Sequence, residues 1–214
     1  MKKAFTTAEL LISLVIIGTI AMLVVPTFIK DYNMRVYSTS IKNIYNDIMN
    51  AVARACADSN VTRFSETIYS KSGNEMNFMK TYFKGQEGNS FATKYKSLCG
   101  TEKDFTPEED KTFILPSGAA LQMKCKNNFV CTIHIDTNGR SGPNIGGLDK
   151  FRLDLATRSS SIQQQLSIGG DGQCYGSAAG SQCIQELLRK DWDIERYTNN
   201  CDGNEDDDDE YDEY

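Results

Sequence analysis

The chain has a single histidine, His134, no Cys-x-x-Cys pair and no internal repeat in its 214 residues. One imidazole without closely spaced thiols offers no tetrahedral zinc set, and no nucleophile motif stands ready for it to activate. The sequence reads as neither a zinc protein nor an enzyme. Strand alternation puts His134 on the face shared by Thr132 and Asp136, which predicts a solvent-facing side chain. An excess of base is missing too. The last fourteen residues, Cys201 to Tyr214, carry nine acids and no base, so the other 200 hold 23 bases against 20 acids. The net charge of -6 therefore belongs to a tail that repels itself and is expected to be disordered. The remainder has no electrostatic footprint for nucleic acid and no basic patch large enough to bury that tail.

Long apolar runs are equally scarce: there is one, the twenty uncharged residues Leu10 to Ile29, entered through the acid Glu9. At helical rise it covers about 30 Å, the thickness of a bilayer core. A charge costs about 2.5–3.5 kcal/mol at the centre of a membrane helix and less near the interface, so an acid at this place is a functional signal that calls for a positive partner. Lys2 and Lys3 lie on the short side, which predicts a cytoplasmic N-terminus and an exported remainder. A removable signal ending at Thr19-Ile20-Ala21 fits less well, because Glu9 falls where its apolar core begins.

Ala4, Phe5, Thr6, Glu9 and the Leu10-Leu11 start of the apolar run together closely resemble the class III leader of type IV pilins and type II secretion pseudopilins. Gly18 and Pro26 also fall where that family places its helix-loosening residues. The resemblance covers about the first thirty residues, with Ala4 in place of the more usual glycine. It implies cleavage between Ala4 and Phe5 by a prepilin peptidase, methylation of the new Phe5 amine and retention of the apolar helix. The same resemblance implies partners: membrane lipid before assembly, an inner-membrane assembly platform, copies of this chain and other pilin-like subunits. Chemistry gives Glu9 a role within that picture. In a staggered stack of helices its carboxylate would meet the Phe5 ammonium of a neighbour, fixing register more than adding stability.

Beyond the run, apolar residues recur at Tyr37, Ile41, Ile44, Ile48, Val52 and Ala55, the period of a helix with one buried face. A single helix from Phe5 to about Ala57 is expected, roughly 80 Å long, with Pro26 as its one strong breaker. The expected organisation is a leader over 1–4, a hydrophobic transmembrane or filament-core helix over 5–29, its amphipathic continuation over 30–57, an exported head over 58–201 and the acidic tail over 202–214. The head reads as α+β: residues 59–110 mostly connection with a helical patch at Met76, Met79 and Phe83, then about four antiparallel strands in a meander over 112–155. A closing helix is expected from Cys183 to Trp192. The fold class is thus pilin-like, with a long helix packed on a small antiparallel sheet.

All seven cysteines, Cys56, Cys99, Cys125, Cys131, Cys174, Cys183 and Cys201, follow the apolar run, and in an exported domain they read as disulfide partners with one left over. Cys125 with Cys131 across a turn, and Cys183 with Cys201, are the pairings the spacing suggests. No cofactor is expected. Asp136, Asn138 and Asp149 resemble the opening of a calcium loop, although Arg140 stands where such a loop wants oxygen. The functional expectation is a structural filament subunit of a pilus or secretion apparatus, in the inner membrane before assembly and in a periplasmic or extracellular filament afterwards. Its alternative is a membrane-anchored exported binding protein that does not polymerise.

Overall fold

The computed structural model describes residues 6–99, 102–104, 112–126, 130–156, 166–167, 174 and 183–194. Two compact units divide the chain after Val36, and helix α1, Thr7–Asp58, contributes to both. In the first unit every large apolar side chain from Leu10 to Ile29 is exposed, Met22 by 80% and Leu23 by 76%. The helix runs through Pro26 without a break. Its hydroxyls do not ask for water: Thr19 Oγ1 donates to the Ile16 carbonyl at 2.9 Å and Thr27 Oγ1 to that of Val24 at 2.8 Å, while Ser13 Oγ bonds the Glu9 carbonyl. Such back-bonding leaves the stretch long enough, apolar enough and satisfied enough to lie in hydrocarbon.

The second unit begins at Tyr37. Here α1 buries Ile41, Ile44, Tyr45, Ile48, Ala51, Val52, Ala55 and Cys56, the stripe that the periodicity predicts, and packs on a mixed sheet. The strands are β1 Gln86–Gly88, β2 Lys94–Ser97, β3 Glu102–Asp104, β4 Thr112–Ile114, β5 Ala120–Lys126, β6 Val130–Asp136, β7 Ile145–Gly146, β8 Lys150–Ala156 and β9 Leu166–Ser167. Their order is β1-β4-β5-β6-β8-β7-β2-β3, with β9 also on β8. The expected four-strand meander is therefore only the middle of a nine-stranded sheet, and its β7 pairs in parallel with both β2 and β8. Residues 59–110 are correspondingly more than connection. They supply two 3-10 turns, Phe64–Glu66 and Ile68–Ser70, helix α2, Glu75–Tyr82, and three strands.

The central register explains the core. Leu121, Ile135 and Phe151 stand opposite one another, as do Met123, Ile133 and Leu153, and then Cys125, Cys131 and Leu155. All nine are buried, so the period of two delivers one continuous apolar face. On α2 the buried residues include Phe78 and Met79, with Phe83 just beyond and Met76 only partly covered. Phe78 is the hub: Phe64, Tyr69, Tyr82 and Phe83 lie with ring centroids 5.2, 5.8, 5.3 and 5.9 Å away, in the tilted and edge arrangements aromatic rings favour. α1 joins this cluster through Arg54, 5.7 Å above the Tyr82 ring. Helix α3, Cys183–Arg189, is followed by Trp192, which packs on Tyr45 at 5.3 Å.

Cys125 and Cys131 are bonded, as the hairpin spacing suggests, with Cα atoms 4.0 Å apart. Cys183 does not pair with Cys201: it is bonded to Cys174, nine residues earlier. The start of α3 is thereby tied to the segment before it, a connection that spacing alone could not select. Cys99 is disulfide-bonded, and among the described residues Cys56 is the free, buried thiol. Cys201 and the acidic tail lie outside the described residues, as do Met1 to Phe5.

Candidate functional site

Two places carry polar groups in unusual settings. The first is the entry to α1. Thr6 Oγ1 accepts the Glu9 N–H at 3.3 Å, and Glu9 Oε2 accepts both the Thr6 N–H and the Thr6 hydroxyl at 2.8 Å. This is a capping box, two otherwise orphaned donors satisfied reciprocally. The signal was present in the sequence as Thr-x-x-Glu before an apolar run. Among the described residues Glu9 is thus met by a donor pair from Thr6. Ala4 and Phe5, the expected cleavage site, lie outside the described residues. At Gly18 an added Cβ would meet nothing within 4 Å, so no contact in the chain itself requires glycine there.

The second is the other face of the central sheet. Ala120, Asp136 and Lys150 stand in one row, Gln122, His134 and Arg152 in the next, and Lys124, Thr132 and Asp154 in the third. His134 does share its face with Thr132 and Asp136, yet that face is only partly open to solvent: Lys124, Thr132, His134 and Arg152 are half-buried and the rest are buried. Asp136 and Lys150 are 0% exposed, Gln122 3% and Asp154 7%. Phe91, Tyr95 and Ala120 pack together over one end of it. Alternation predicts which side chains share a face, but a covering layer from distant loops leaves no local mark.

Burial lowers the His134 pKa to about 3, helped by the charges of Lys150 and Arg152. The imidazole is therefore neutral in the fold and has an ordinary affinity for protons once unfolded. From pH 6.5 down to about 3 the unfolded chain binds a proton that the fold refuses, so this residue costs stability as the pH falls. We expect His134→Gln to lose less stability than the native chain between pH 7 and pH 4, by about 3 kcal/mol, in denaturant titrations at the two pH values.

Asp136, Asp149 and Lys150 form the most deeply buried charged group on this face. Tyr95 donates its hydroxyl to Asp136 Oδ2 at 2.6 Å, and the Asn138 N–H donates to Oδ1 at 3.2 Å. Burial lifts Asp136 to about 7, with the Asp149 charge adding to the rise and the Tyr95 bond and Lys150 opposing it. Asp149 receives the N–H groups of Asn144 and Ile145 at 2.7 and 2.6 Å; burial raises its pKa and these bonds hold it back. Lys150 points its Nζ at the Phe91 ring, 3.5 Å from the centroid, and lies 5.1 Å from that of Tyr95. Burial drives its pKa down while Asp136 and Asp149 pull it up.

This geometry bears on calcium. The expected loop residues do come together: Asp136 and Asp149 influence each other's charge, and the Asn138 side-chain amide bonds Gly142 O at 3.1 Å. Calcium needs six to eight oxygens and net negative charge. Here all four carboxylate oxygens already accept hydrogen bonds and a fully buried lysine shares the enclosure. The residues as they stand do not fit a resident calcium ion. Among the described residues no other group of His, Cys, Asp and Glu could hold a metal.

A groove of about 470 Å³ lies elsewhere on the head, between α1, the end of α2 and the β4–β5 turn. Asp47, Arg54, Tyr82 and Lys84 line it above an apolar floor that includes Ile44 and Leu115. Tyr82 donates its hydroxyl to Asp58 Oδ2 at 3.0 Å, and burial raises its pKa. No family model, curated protein or solved structure matches the chain.

Proposed function

We propose that the chain is a pilin-like filament subunit, held in the inner membrane by the Leu10 to Ile29 helix with its head exported, and assembled by helix stacking after removal of residues 1–4. One observation carries this reading: a head with a complete core of its own is joined to a helix whose apolar side chains are exposed on every side. Such a surface needs lipid or other helices around it. The acid at its entrance supports assembly over a plain anchor through its charge, since the cap it forms with Thr6 would serve either kind of helix.

Mass spectrometry of the chain from native membranes tests the proposal. The expected N-terminus is N-methylated Phe5 with the apolar helix retained. An intact Met1, or a soluble form beginning after Ala21, overturns it. A second reading, a membrane-anchored binding protein that never polymerises, draws support from the groove beside Arg54 and Lys84. It predicts no chain in sheared filaments even when the N-terminus is processed.

A further inference from the structure

The chain has seven cysteines, and their bonding leaves one partner to be found. Cys125 is bonded to Cys131 and Cys174 to Cys183, Cys56 carries a free thiol, and Cys99 is disulfide-bonded. A sulfur takes one disulfide partner, so elimination leaves Cys99 a single choice within the chain. We infer that Cys99 and Cys201 form the third disulfide of the head, and that it is the bond an external thiol opens first.

Burial sets the order of opening. Cys125, Cys131, Cys174 and Cys183 are each exposed by 2% or less, whereas Cys99 lies exposed in the turn that follows β2. Exchange begins when a thiolate reaches a disulfide sulfur, so access decides which bond reacts. One thiolate of an external dithiol bonds the Cys99 sulfur and releases the Cys201 thiolate. Its second thiolate then displaces the Cys99 thiolate, the reagent leaves as a cyclic disulfide, and the pair has gained two electrons and takes up two protons. Cys56 does not replace the reagent, because it is buried and burial keeps its thiol protonated. The bond also has mechanical weight. β2 meets the rest of the sheet through the two residue pairs it shares with β7 and through the Tyr95 hydroxyl on Asp136. A ring running from Cys99 to Cys201 encloses every strand from β3 onward, α3 and both other disulfides, and a closed loop of about a hundred residues strongly restricts the unfolded chain. The same bond ties the root of the acidic C-terminus to the turn between β2 and β3. The inference concerns the head alone and holds under either reading of the function.

The test uses the full-length chain in detergent micelles. Alkylation in denaturant without reductant, followed by peptide mass mapping, should mark Cys56 alone and recover one linked peptide pair holding Cys99 and Cys201. An alkylated Cys201, or Cys99 linked to any other cysteine or to a second chain, overturns the pairing. A graded dithiothreitol series on the folded chain should open Cys99 and Cys201 at least about tenfold faster than the four buried cysteines, with the head's melting midpoint falling on the order of 10 °C. Opening of a buried pair first, or of all three together, overturns the order. Cys201→Ser should carry two alkylatable thiols in place of one, the new one at Cys99, and an unchanged thiol count overturns the assignment whether or not that variant folds.

Discussion

A Glu9→Gln chain should fold its head, keep its helix in the membrane and be missing from filaments. Glutamine keeps the capping box, because its amide oxygen can still accept the Thr6 N–H that Glu9 Oε2 accepts at 2.8 Å. What it removes is the charge that, in the proposed assembly, meets the Phe5 ammonium of the next subunit. Inside an apolar bundle that ammonium would be left without a counter-ion, a loss of about 3–5 kcal/mol for each contact, enough to suppress incorporation by two orders of magnitude or more. Thr6→Ala is the complementary variant: the carboxylate survives and the cap weakens by about 0.5–2 kcal/mol, so assembly should persist at reduced yield. The measurement is the amount of each chain in sheared filaments against its membrane level. Glu9→Gln filaments at native yield would remove the charge from the mechanism and leave Glu9 as a cap alone.

Ile48→Asp should unfold the head. Ile48 is 0% exposed in the middle of the α1 stripe, with Ile44, Ala51 and Val52 buried around it. The substitution deletes a branched side chain, worth about 2–5 kcal/mol when reduced to alanine, and adds a carboxylate with no partner, which costs more still. The sum rivals the whole stability of a domain this size, about 5–15 kcal/mol. Asp47→Ala, one residue away and exposed, should leave the melting midpoint within a few degrees of native. Circular dichroism melts of the two variants in micelles check both statements, and a cooperative native-like transition in Ile48→Asp would mean that α1 is not part of the head's core.

The long helix and its change of character were legible because they are written in local periodicity: an unbroken apolar run, then steps of three and four from Ile41 to Ala55. The central strands were legible for the same reason, and their register even put Cys125 opposite Cys131. What escaped was everything set by distant pairing. β7 is two residues long and gains its place from parallel neighbours that no alternation announces. β1 is three residues that bury nothing fully, and β2 alternates exposed lysines with the buried Tyr95 and Ser97 over only four positions, too short a pattern to announce a strand. His134 was given the right face and too much solvent: it is half-buried, and the cover over one end of that face comes from Phe91 and Tyr95, some forty positions earlier in the chain. At the candidate site Asp136 and Asp149 were visible as oxygen donors. Lys150 was not, since a lysine beside an aspartate reads as a surface pair until the register turns it inward.

The strand order has one more implication. A sheet that ends in bare hydrogen-bonding edges invites other sheets to add on, the route to disordered aggregates. Here the order ends at β1, Gln-Glu-Gly, and at β3, Glu-Lys-Asp, each three residues long. Glu87 of β1 is also engaged by Lys80 at 2.6 Å. Short rims of this kind discourage lateral zippering. In the proposed filament they would let a head be crowded against its own copies without fusing to them, confining growth to the surface the helix provides.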